Sequence, residues 1–401
     1  MADDDNAIAG FTMLAHGTFH TYELSIPIFI VIWLDVFDVS AAVLGTVIGL
    51  GYGLIGVGAV PSGILADRFG SRTLIVASVV GMAGGFFLLS LAPNVYVLAL
   101  AIMLWGMAAS IYHPAGLSLI SRCATERGTV FAYHGVGGNV GTALGPLVAA
   151  LLLVFLDWQW VVRLLALPAI PVVLFGSRIS FDEAIEPSST DGGNDSFDLR
   201  SVLSQSRLLF TAGFTLAFVV VLLYGTYYRG LLTFLPDMIA DLPLFEPISL
   251  YGRTAEPAQY VYTGLLMVGI LGQYTGGRVT DHVRTEYALL AALAALSALA
   301  FVFLPSSTLG VAPFLVVCAL LGFTLYATAP IYQVVIAERA DETVHGLSYG
   351  FTYLGMFGIG SAGAALAGAL LTYFDAPVLL GVLGAIAAAA ALLCVVLLRR
   401  A

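Results

Sequence analysis

The sequence predicts an all-α polytopic membrane protein with twelve transmembrane helices in two pseudo-symmetric six-helix halves. Three observations carry that prediction. Hydrophobic residues make up 60% of the 401 residues and charged residues 10%, too few charges to cover a soluble fold of this size. The apolar content is continuous, with no charged residue between Arg72 and Arg122, Glu286 and Glu338, or Asp375 and Arg399. Stretches of that kind, broken only by turn residues, read as membrane spans. Lastly, motifs in the first half of the chain recur in the second.

A helix in hydrocarbon must satisfy its own backbone and needs roughly 20 apolar residues to cross. Cutting at Pro, Gly, Asn and charge clusters places the spans at about 10–33, 41–65, 73–92, 95–121, 128–156, 159–177, 208–236, 258–279, 286–304, 310–337, 345–373 and 377–398. The first follows an acidic start, Met1 to Asn6, which lacks the basic residues of a cleaved secretory signal; it is expected to be retained. Between spans six and seven, 178–207 contains an acidic, Ser/Gly-rich stretch that cannot pack a core and reads as a cytoplasmic linker. This divides the chain into bundles 1–177 and 208–401. Between spans seven and eight, the polar stretch 237–257 reads as an external loop.

Arginine placement supports the count. Arg68, Arg72, Arg122, Arg127, Arg178, Arg200, Arg207, Arg278, Arg284, Arg339, Arg399 and Arg400 all fall on one side of this topology, and only Arg163, Arg229 and Arg253 do not. Basic residues near span ends stay in the cytoplasm, so both termini are expected there, in the plasma membrane. A formal charge of -10, with no lysine, disfavours nucleic acid as a partner. Without lysine there is no Gly-x-x-x-x-Gly-Lys phosphate loop, which disfavours ATP hydrolysis on this chain and points to an ion gradient as the energy source. The three cysteines show no paired or metal-type spacing.

The repeat is seen at three places. Gly63-Ile-Leu-Ala-Asp67-Arg68-Phe-Gly70-Ser-Arg72 is echoed by Gly277-Arg278-Val-Thr-Asp281-His-Val-Arg284, Ile111-Tyr112-His113 by Ile331-Tyr332-Gln333, and Arg127-Gly128 by His345-Gly346, at a nearly constant offset. Duplication about a linker is an architecture of secondary transporters, with the site near mid-membrane between the halves.

On these residues the chain resembles the major facilitator superfamily over nearly its whole length, the Gly63–Arg72 string matching its signature loop between spans two and three. The resemblance implies a conformational latch in which Asp67 meets the start of span eleven and a basic residue ending span four, here Arg122. Gly63, Arg68, Gly70, Arg72 and, in the second half, Asp281 complete that set. A closer resemblance, to the fosmidomycin-resistance branch of drug exporters, rests on Ala15-His16, Tyr112-His113-Pro114 and His134-Gly-Val-Gly-Gly-Asn139-Val-Gly141-Thr-Ala-Leu-Gly145-Pro146. That branch tends to have Asp and Gln in span one where this chain has His20 and Glu23, so substrate identity does not transfer.

Spacings of four and three put His16, His20 and Glu23 on one face of span one. A charge left at the bilayer centre costs roughly 2.5–3.5 kcal/mol or more, so the stripe must face a cavity or a partner helix. There its groups can load and release protons, or simply hydrogen-bond their neighbours and fix packing. A zinc site from His-x-x-x-His lacks a further ligand cluster in the sequence, and neither metal nor cofactor is expected. His113, beside Pro114 in span four, is a cavity-lining candidate, as are His134 and Asn139 in span five. Gly137, Gly141 and Gly145 recur every four residues before Pro146, a small-residue stripe for tight helix crossing. Arg229 in span seven either snorkels or binds an anion, since guanidinium grips carboxylate or phosphonate bidentately. Gln273, Tyr326, Gln333 and Tyr353 are candidates for lining the second half.

The favoured function is a secondary active transporter working by alternating access, exporting a small organic or drug-like molecule against protons, as a monomer. One proton falling through 100 mV yields about 2.3 kcal/mol and one pH unit about 1.4, so a single titrating side chain suffices. Two alternatives stand beside it. One is uptake or facilitated diffusion of an organic anion, motivated by Arg229. The other, a non-transporting receptor or intramembrane metalloenzyme, is motivated by the histidine stripe.

Overall fold

The computed structural model describes residues 3–179, 206–250, 253–340 and 345–399. Most of the linker therefore lies outside the described residues. The amino-terminal half contains α1 (Asp3–Phe37), α2 (Ala41–Phe69), α3 (Ser71–Leu89), α4 (Val95–Ala109), α5 (Tyr112–Cys123), α6 (Arg127–Leu153), α7 (Trp158–Leu165) and α8 (Ala169–Arg178). The carboxy-terminal half contains α9 (Ala212–Ala240), α10 (Pro257–Thr280), α11 (Thr285–Ser307), α12 (Val311–Arg339), α13 (His345–Tyr353), a π-helical segment (Leu354–Ile359), α14 (Ala362–Tyr373) and α15 (Ala376–Arg399).

Taking α4 with α5, α7 with α8, and α13 through α14 as single spans, eleven helical spans among the described residues are long and apolar enough to cross a membrane. The remaining helix, α10, has 24 residues and so is about 36 Å long. Gln259, Thr263, Gln273, Thr275 and Arg278 make it less apolar than the others. The architecture is that of an all-α polytopic membrane protein.

Helix ends follow local chemistry. The Ser40, Asn94 and Thr211 side chains accept backbone N–H bonds at the starts of α2, α4 and α9, satisfying donors that a first turn leaves free. Gly70 joins α2 to α3 at φ 83°, a left-handed conformation that suits glycine. Three expected spans are interrupted. Span four breaks at Ser110–Ile111, just before Pro114, and span six breaks around Pro168. In span eleven the Gly360 amide donates to the Gly355 carbonyl at 2.8 Å, the i→i+5 bond of a π turn. The expected polar loop after span seven contains a small antiparallel hairpin, β1 (Ile248–Leu250) with β2 (Arg253–Ala255).

Glycines set the closest helix contacts, and corresponding pairs carry them in both halves. In the first half, α6 lies on α1: a Cβ at Gly137, Gly141 or Gly145 would meet the backbone of Met13, Gly17 or Thr21. In the second, α14 lies on α9, with Gly363 against the Thr226 carbonyl. Likewise α4 meets α2 through Gly106 and Gly51, and α12 meets α10 through Gly322 and Gly272. Without a hydrophobic force between helices in lipid, such close approach is what holds them together.

The two halves join on the side away from the chain termini. Gly45, Gly49, Gly53 and Gly56 of α2 run along the π segment and α14, where a Cβ would strike Ala364, Ser361 or Gly358. The Ala42 amide donates to Thr372 Oγ1 at 2.8 Å. The hydroxyls of Tyr260 and Tyr262 on α10 reach the carbonyls of Ala150 and Leu24 at 3.4 and 3.2 Å. These hydrogen bonds between the halves, at Ala42, Tyr260 and Tyr262, lie at mid-depth or nearer that far face.

Candidate functional site

The stripe predicted on span one lies at the centre of the molecule, and the fold adds partners from four other helices. Helical spacing stacks His16, His20 and Glu23 along α1. His16 Nδ1 donates to the His134 carbonyl at 2.8 Å. His16 Nε2 lies 3.0 Å from His20 Nε2. His20 Nδ1 lies 2.7 Å from Glu23 Oε2. A carbonyl can only accept, so His16 carries a hydrogen on Nδ1. These three contacts need three hydrogens, whereas two neutral imidazoles supply two. The chain from His134 to Glu23 is thus arranged so that one additional proton would complete its hydrogen bonds.

Glu23 also ties the halves together. Its Oε1 accepts from Arg229 Nη2 on α9, and both side chains are 2% exposed. Arg229 is thus neither at the surface nor snorkelling; it is a buried cation whose charge is balanced across the interface between the halves. Its guanidinium carbon lies 3.9 Å from the Tyr52 ring centroid, 5.2 Å from that of Phe357 and 5.3 Å from that of Tyr228. Rings around a desolvated guanidinium contribute about 2 kcal/mol or more. Arg229 Nε is buried with no acceptor among the described residues.

Beside the chain, His113 at the start of α5 and His134 on α6 complete a group of imidazoles. His134 stacks on His16 with centroids 3.9 Å apart, and His113 meets His16 edge-on at 5.2 Å. One ring nitrogen from each of His16, His113 and His134 lies within 4.8 Å of the others. The zinc reading was set aside for want of ligands beyond span one; the fold supplies two, drawn from helices about a hundred residues along the chain. Tyr353 of α13 faces His113 across the interface at 5.5 Å.

The other predicted residues are less central. Tyr326 is buried and its hydroxyl lies 3.2 Å from that of Tyr228, beside the Arg229 rings. Asn139 and Gln273 are half-buried, and Gln333 is exposed, outside the cluster. Gly137, Gly141, Gly145 and Pro146 form the buried face of α6 against α1. Of the latch residues, Gly63 and Asp67 fall within α2, but the Asp67 side chain lies outside those described. Arg68 and Arg122 are exposed, Arg72 donates to the Ile179 carbonyl, and exposed Asp281 caps α10 with its backbone.

Sequence reasoning missed Tyr52, Phe357 and the glycine stripe of α2. The signal was present: Gly45, Gly49 and Gly53 recur every four residues, as in span five, with Gly56 three further on and Tyr52 set between Gly51 and Gly53.

Comparison with known proteins agrees with this architecture. An uncharacterized MFS-type transporter of Bacillus subtilis, YfnC, is 26% identical over 305 residues, which span 74% of this chain and 69% of that one. The fosmidomycin resistance protein of Escherichia coli is 26% identical over 304 residues, 71% of this chain and 66% of that one. Among solved structures, the nucleoside transporter NupG superposes with a TM-score of 0.75 at 13% identity, over 98% of this chain and 99% of its own. A D-xylose–proton symporter does so with 0.74 at 15%, over 98% and 97%. Residues 11–364 match the family model of the Major Facilitator Superfamily. With that match over most of its length, the chain belongs to the major facilitator superfamily of membrane transporters.

Proposed function

We propose that this chain is a secondary active transporter that exports a small organic or drug-like molecule in exchange for protons, with Glu23 taking the proton. The observation that carries this reading is the buried pair of Glu23 and Arg229, which joins the halves at mid-depth. Removing one partner of a buried pair costs about 3–5 kcal/mol, because the other charge is left uncompensated. One proton crossing 100 mV and one pH unit delivers about 3.7 kcal/mol. The two quantities match in size, so protonating Glu23 is enough to loosen the far face. The halves then rock about the buried Glu23–Arg229 region, opening it to one side and afterwards to the other. The arginine bias supports a plasma-membrane protein with both termini in the cytoplasm. It works as a monomer, and as a transporter rather than an enzyme.

The test uses protein reconstituted in vesicles, with ligands first found by thermal shift. An imposed pH gradient should drive their movement in the wild type. Glu23→Gln should abolish that response while leaving counterflow exchange. Movement indifferent to the gradient, or a Glu23→Gln variant that remains driven, would reject the reading. A second reading, uptake or facilitated diffusion of an organic anion, is supported by the acceptor-free Nε of Arg229. Counterflow that favours charged over neutral analogues would select it.

A further inference from the structure

We propose that His16, His113 and His134 form a binding site for a divalent transition-metal cation of the zinc, cobalt, nickel and copper class. The three side chains come from three helices of the amino-terminal half, α1, α5 and α6, and converge with one nitrogen each inside 4.8 Å. Three imidazoles and an open fourth position are a recurrent transition-metal donor set. Zinc–nitrogen bonds of about 2.0–2.1 Å with tetrahedral angles require nitrogens about 3.3 Å apart, so the rings must close by at most about 1.5 Å. The stacked His134 ring and the edge-on His113 ring are the ones that must move toward His16.

Two further features point to a ligand. His113 is 8% exposed, and among the described residues neither of its ring nitrogens has a hydrogen-bond partner. A cation at this place would give that imidazole the partner it lacks. His16 is already held in the manner of a metal ligand: its Nδ1 hydrogen is taken by the His134 carbonyl, leaving Nε2 as the nitrogen to bind. Metal-binding imidazoles are commonly fixed in this way by their other nitrogen. Tyr112 Oη lies 3.4 Å from His134 Nδ1 and orients that ring. His20, which now lies against His16 Nε2, is the group the cation displaces. The set contains neither thiolate nor carboxylate, so it selects nitrogen-preferring cations over magnesium or calcium, which take oxygen ligands. Binding is measured directly, so the site stands or falls independently of proton-coupled transport.

The experiment titrates the purified full-length chain, carrying a histidine-free affinity tag, with cobalt(II) and reads its ligand-field absorption; zinc is measured by equilibrium dialysis. We expect one cation per chain, unaffected by excess magnesium. His113→Asn and His134→Asn should each weaken binding about tenfold or more, at an unchanged melting temperature. His282→Asn, at the exposed turn after α10, should leave binding intact. Lack of saturable cobalt uptake by the wild type would overturn the proposal. So would uptake that persists in both cluster variants, or that vanishes in His282→Asn. If one cluster variant fails to fold, the other decides.

Discussion

The pairing of Glu23 with Arg229 is best examined by a double-mutant cycle, Glu23→Gln, Arg229→Gln and both together. Each single change leaves a buried charge without its partner and should cost about 3–5 kcal/mol. The two costs differ in origin. Glu23→Gln leaves Arg229 with only its rings, the nearest 3.9 Å away, and an Nε that already lacks an acceptor. Arg229→Gln forfeits those ring contacts, about 2 kcal/mol when desolvated, but leaves Glu23 with His20 at 2.7 Å. The double variant contains no stranded charge, so it should cost no more than the worse single. The resulting coupling is about 3 kcal/mol, roughly two decades in an equilibrium constant. Reversible unfolding in mixed micelles, followed by tryptophan fluorescence, measures all four corners. Single costs that add to within about 0.5 kcal/mol, the behaviour of independent sites, would refute the claim that this pair joins the halves.

Two further predictions concern glycines. Gly141→Ala places a methyl group against the Gly17 carbonyl and should destabilise by about 1–3 kcal/mol. Gly84→Ala, with nothing within 4 Å, should be neutral or stabilising by up to about 1 kcal/mol; equal losses at both positions in the same unfolding assay would contradict the packing described. Gly56→Val puts its side chain into the Gly358 backbone and should prop the far face open. Labelling of Thr372→Cys by a membrane-impermeant thiol reagent, with the native cysteines replaced, should then rise; unchanged labelling would show that this contact does not seal the face.

The long helices were legible because lipid imposes a simple demand, uninterrupted apolar residues with satisfied backbone, and the gaps between charges met it. The stripe on α1 was legible because helical period alone aligns His16, His20 and Glu23. What those residues meet was not. Arg229 is 206 positions from Glu23, and local pattern cannot distinguish an arginine reaching outward from one turned into the interface. His113 and His134 lie on helices that only tertiary packing brings to His16, so a metal-type cluster was invisible as spacing. The relative polarity of α10 hid nothing, since turn and charge signals bounded it on both sides. The π turn carries no composition of its own beyond glycines that permit it.

That single turn has a geometric result. Tyr353 touches His113, and five residues later Gly358 sits against Gly56. On a regular α-helix, positions five apart point about 140° away from each other, so one of these contacts would face the wrong way. The wider i→i+5 winding brings both toward the amino-terminal half. One surplus residue thus lets a single span grip the amino-terminal half at two depths, through Tyr353 and through Gly358.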